Sequence, residues 1–236
     1  MFTSNLERVN HFFKVLAATT QSITFKLDKL AEKHHGSDLK QKLDQIKREI
    51  DAKQEWESSI LEWFPVMLVT FTEAYLQDLL AYVAALDVSL MGKSEQTATY
   101  SDVLQAQSIP DLAADLRARW ARGIVDDGGP QRWSKRLPQI LQFPPKRYPS
   151  DLIERLETLW GVRHVVVHAA GTATRDFVSR HPEFDVGVGE QIRFSVNDDR
   201  LMEWYKAVQS FATVTDESVV ARTAAVIDRA ASRFQK

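Results

Sequence analysis

Apolar residues recur at helical spacing along most of the chain, and this pattern leaves few architectures open. From the N-terminus they fall at Leu6, Val9, Phe13, Leu16, Ile23, Leu27 and Leu30, with Thr20 in the one gap of an alternating three-four spacing, which makes a heptad seam. Gly36 and Ser37 interrupt the seam, and Leu39, Leu43, Ile46 and Ile50 then resume helical spacing with lysines and carboxylates on the remaining faces. Residues 1–55 therefore read as an N-terminal helical hairpin. Its seam either packs on the rest of the chain, the reading preferred here, or forms an exposed coiled coil.

A wider apolar face follows from Trp56 to Met91, carried by Ile60, Trp63, Phe64, Met67, Leu68, Phe71, Tyr75, Leu79 and Leu80, with Pro65 bending this helix or marking its first turn. Shorter helical patterns at 100–107, 111–123 and 131–142 are punctuated by Asp127-Gly128-Gly129-Pro130 and closed by Phe143-Pro144-Pro145. Asp151 with Glu154 three residues later resembles a capping box. It opens a helix through Leu152, Leu156, Leu159 and Trp160, expected to reach about Ala170 with Gly171 as its stop. Val186, Val188, Ile192 and Phe194, with glycines at 187 and 189, suit a small β-hairpin or an extended loop. Asn197 is placed to cap a last helix carrying Leu201, Trp204, Tyr205, Val208 and Phe211. The expected fold is mainly α, a helical domain over residues 56–236 behind the hairpin.

Composition narrows the function. A hydrophobic share of 44% with 26% charged residues is that of a globular protein, which sets aside disordered and fibrous classes. With no cysteine there is no disulfide, no thiolate catalysis and no cysteine-based zinc site. Glu7, Arg8, His11 and Lys14 stand where a signal peptide needs an apolar core, and the apolar run from Trp63 to Phe71 is shorter than the ~20 residues that cross a bilayer. The expectation is a cytoplasmic protein with no membrane span. A net charge of -2 gives no overall attraction to nucleic acid, so affinity for RNA has to come from a local patch. Between Leu116 and Ser150, six arginines and two lysines face only Asp126 and Asp127, with Trp120, Trp133, Phe143 and Tyr148 interleaved. Cations beside stacking aromatics suit single-stranded RNA, and Arg132, Lys135, Arg136, Lys146 and Arg147 are the candidate RNA-binding residues. A solvated helical face over core aromatics explains the same pattern equally well.

The segment Trp160-Gly161-Val162-Arg163-His164-Val165-Val166-Val167-His168-Ala169-Ala170-Gly171 sets a basic triad inside an apolar helix. The bare spacing is weak evidence, because Arg175 and His181 give a similar Arg-x5-His match in a segment without helical pattern. The run from Val162 to Gly171 nevertheless resembles the Arg-(Asn/Asp/His)-x3-His-Asn-x-Gly signature of the HEPN superfamily, whose active members are metal-independent endoribonucleases. Phe71 to Leu80, with Glu73 and Asp78, is similar to the earlier HEPN helix, and the tail after Gly171 is also similar to this group. The resemblance covers about Trp56 to Phe211 and departs from the pattern at Ala169, where relatives often carry asparagine. It implies a toxin or antiviral defence effector that acts as a homodimer on RNA, leaves 2',3'-cyclic phosphate ends, needs no cofactor or metal, and is held in check by an antitoxin or regulatory partner protein.

The chemistry follows from the residue types. Cleavage of RNA by its own 2'-hydroxyl needs a group to take that proton and a cation to hold the charge on phosphorus. A histidine exchanges protons near neutrality, and an arginine offers forked donors to phosphate. His168 is the candidate base or acid, Arg163 the clamp, His164 a supporting residue, and Glu73 an acid that pairs with Arg163 or tunes His168, with an edge carboxylate as the equal alternative. Five helical residues turn through roughly 140°, so one copy of Arg163 and His168 makes a poor site, and two copies across a two-fold axis make a better one. The His164-x3-His168 spacing is also that of two zinc ligands on a helix, without an obvious third ligand. A catalytically silent module that binds RNA or protein through the same helices is the competing reading. Phosphate-loop, dinucleotide and nucleophile-elbow motifs are absent.

Overall fold

The computed structural model describes residues 37–92, 98–144, 146–194 and 198–234. Among these the fold is mainly α-helical, as the spacing predicts. The helices are α1 (Ser37–Leu86), α2 (Tyr100–Gln105), α3 (Ile109–Asp126), α4 (Pro130–Leu141), α5 (Ser150–Ala169), α6 (Arg175–Arg180) and α7 (Asp199–Phe234). The first arm of the expected hairpin, residues 1–36, lies outside the described residues, as do Pro145 and Asn197.

Two elements differ from the sequence reading. The patterns at 39–50 and 60–80 belong to one helix, α1, which runs through residue 55 and takes Pro65 into its interior. Asp51-Ala52-Lys53-Gln54-Glu55 between them holds neither glycine nor proline, so nothing there stops a helix. The segment after Gly171 contains the short α6, whose start is fixed by Thr174, the side chain of which accepts from the Phe177 amide. Of the two forms expected for the next segment, residues 185–194 take the extended loop, with an antiparallel bridge between Thr172 and Gln191. The start of α7 is capped by Asp198, whose carboxylate accepts from the Arg200 amide at 3.1 Å.

The chain divides into two compact units, with the divisions falling inside α1 and α7 and in the middle of α5. The first holds the residues up to Leu68 and Val162–Met202. Its buried residues are Leu61, Phe64 and Leu68 on α1, Val162, Val165 and Val166 on α5, Phe177 on α6, Ile192 and Phe194 in the loop, and Leu201 on α7. The end of α5 is closed by two successive left-handed residues, Ala170 at φ 49° and Gly171 at φ 78°. The Gly171 amide donates to the Val165 carbonyl at 3.1 Å, and its own carbonyl accepts from Ile192 at 2.9 Å. Ala173 donates to Glu190 at 2.7 Å and accepts from Gly189 at 2.9 Å, so the loop is laced to the residues that follow the helix. Arg200 lies over the Phe184 ring at 4.6 Å while its guanidinium is forked onto Asp198.

The second unit holds Val69–Gly161 and the residues from Glu203 onward. Trp133 is its centre, 1% exposed, edge-on to Trp160 at 5.1 Å and donating from Nε1 to the Val125 carbonyl. Tyr148 stacks on Phe211 at 5.0 Å and shares a hydrogen bond with Thr215, and burial lifts its phenol to about 12. Arg222 is buried and donates to both the Ile140 carbonyl and Asp87. By length and composition alone, Ile60–Leu86 of α1 could cross a membrane; its buried positions, from Leu61, Phe64 and Leu68 through Leu76, Leu80 and Val83, recur at the spacing of a core helix.

Candidate active site

The last two turns of α5 alternate inward and outward residues with helical period. Val162, Val165 and Val166 are buried, and His164, Val167 and His168 are exposed. The two imidazoles, one turn apart, have ring centres 4.6 Å apart at an angle of 44°. Val167, 42% exposed, belongs to the same outward stripe. Arg163 stands at the boundary, half-buried, and its Nε is shut away from solvent with no hydrogen-bond partner among the described residues. Such an orphaned donor costs about 1–3 kcal/mol.

Partial desolvation holds the His164 imidazole below its ordinary value near 6.5, and electrostatic coupling to His168, Arg163 and Arg180 adds to the effect. Arg180 itself pairs with Asp176 one turn back on α6. The site thus sets two exposed imidazoles beside an arginine whose Nε has no acceptor among the described residues.

A carboxylate that the sequence did not single out lies beside the motif. Glu62 on α1 is close enough to the helix stop that a Cβ added to Gly171 would come within 3.9 Å of its Oε2, and burial raises its pKa against the lowering effect of Arg193. No local signal points to it, because it reaches the site from a helix a hundred residues away in sequence. Glu73 sits half-buried on α1 in the second unit. The Ala169 carbonyl accepts from Thr172 at 2.9 Å, and its methyl offers no polar atom where the HEPN pattern has an amide.

The basic stretch lies in the second unit and is more neutralised than its sequence suggests. Arg132 and Arg136 converge on Asp127, Arg147 pairs with Glu217 at 2.7 Å, and Arg119 forks onto Asp102. These exposed pairs are worth about 0–1 kcal/mol each and can be exchanged for phosphate. Lys135 and Lys146 line an open groove of about 1080 Å³ with Gln131, Ser134 and Ser150. The interleaved aromatics are not a stacking platform: Trp120, Trp133, Phe143 and Tyr148 are all buried. Trp120 and Trp133 lie on the inward faces of α3 and α4, and Phe143 and Tyr148 are buried in the segment that joins α4 to α5.

Compared with family models, curated proteins and solved structures, the chain has no match. The likeness to the HEPN superfamily thus rests on the motif residues themselves. Among the described residues no group of three or more histidine, cysteine, aspartate or glutamate side chains is gathered as a metal site.

Proposed function

We propose that the chain is a metal-independent endoribonuclease of HEPN type, working in the cytoplasm as a toxin or defence effector. Two copies pair through the Val162–Ala170 stretch of α5 so that Arg163 and His168 of both line one cleft. The observation that carries this reading is the orphaned Nε of Arg163 beside the exposed His164–His168 pair. His168 takes the 2'-hydroxyl proton or returns one to the leaving oxygen, Arg163 holds the charge on phosphorus, and His164 steadies the phosphate. Lys135, Lys146 and the arginines 132, 136 and 147 provide contacts for a strand of RNA.

The test is incubation of the purified protein with mixed cellular RNA in excess chelator. Cleavage should proceed, and Arg163→Ala or His168→Ala should each reduce it ~100-fold or more with the fold intact, as loss of proton transfer or charge stabilisation does elsewhere. His164→Ala should cost less. Cleavage that stops with chelator and returns with zinc would overturn the mechanism. A second reading, a silent HEPN-like module, is favoured by Ala169 and by the heptad pattern of the N-terminal arm; it replaces the first if the wild type cuts no RNA and the variants lose only binding.

A further inference from the structure

We propose that His164 and His168 form a chelating site for a late first-row divalent cation, of the Cu²⁺, Ni²⁺ or Zn²⁺ class, and that an ion bound there blocks the face of α5. Two imidazoles bound to one ion at ~2.0–2.1 Å, and set about at right angles around it, would have ring centres roughly 4.5 Å apart. The observed separation is 4.6 Å, the spacing such a pair requires. Both rings are exposed, which leaves the ion's other positions to water. Nitrogen ligands select borderline metals over Mg²⁺ and Ca²⁺, and among these Cu²⁺ binds most tightly. Binding needs only the pair. Its inhibitory consequence rests on the ribonuclease reading, because an imidazole whose lone pair is given to a metal cannot take a proton.

The experiment uses the full chain stripped of metal and titrated with Cu²⁺, followed by electron paramagnetic resonance, with RNA cleavage measured on the same samples. The wild type should show one site with splitting from two imidazole nitrogens. His164→Ala and His168→Ala should each lose that signal, whereas a His34→Ala, His35→Ala, His181→Ala triple variant should keep it. The exposed positions of His164 and His168 let both variants fold, which circular dichroism checks. An unchanged signal in His164→Ala overturns the site. Stoichiometric Cu²⁺ should suppress cleavage and chelator restore it; cleavage that continues with the site filled overturns the inhibition. If metal binds as described but metal-free protein cuts no RNA, the ribonuclease reading fails and the site stands.

Discussion

Arg163 holds a donor that is closed off from water and unmatched by any acceptor among the described residues. A group kept in that state is expected to weaken the fold for the sake of its task. Arg163→Met retains the buried alkyl length and removes the orphan, so urea unfolding should show stability unchanged or raised by about 1–2 kcal/mol while cleavage is lost. His164 gives a pH dependence of defined sign. Its folded pKa lies below the unfolded value near 6.5, so on acidification the unfolded chain takes up the proton first. Stability should fall as pH drops from about 6.5 through the folded value and level off beneath it, and His164→Ala should remove that component. Glu62 behaves oppositely. Its raised pKa means that the folded chain holds a proton after the unfolded one has lost it, so Glu62→Gln should gain on the wild type as pH rises above 4.5 and hold that gain once the folded group has ionised. At this scale the sequence showed the residues that stand together on one helix. It did not show Glu62, whose place depends on tertiary packing.

At the scale of elements, the end of α5 decides where the motif points. Ala170 carries a left-handed backbone without being glycine, and Ala170→Gly should raise stability by up to about 1 kcal/mol in thermal unfolding. Gly171→Ala should cost about 1–2 kcal/mol, since its φ is 78° and an added Cβ would meet Gln191 Oε1 at 2.9 Å. Most helices were legible, because Leu152, Leu156 and Leu159 or Leu201, Val208 and Phe211 repeat over several turns. α6 was not, since six residues are too few for a period to show and only Thr174 announces it. The break expected near residue 55 was also misplaced: a change in which face is apolar need not end a helix. The basic stretch teaches a related lesson. Cations and aromatics alternating in sequence read as one surface, and the fold buries the aromatics while the cations stay outside.

For the whole molecule, the proposal requires association. Light scattering at micromolar concentration should give twice the 26.9 kDa chain mass, and Val167→Glu should return the single-chain value while leaving Arg163, His164 and His168 unaltered. That substitution should also abolish cleavage, whereas a change at Trp133 should act through stability alone, with Trp133→Ala costing about 3–5 kcal/mol. The stripe of His164, Val167 and His168 lies on an outer helical face, and this has a consequence for control. A second copy, a metal ion or an inhibitory protein would all contend for the same few square ångströms, so restraint needs no relay through the fold. Whichever contender has the largest concentration relative to its Kd takes the face, and on the ribonuclease reading that competition would decide whether RNA is cut.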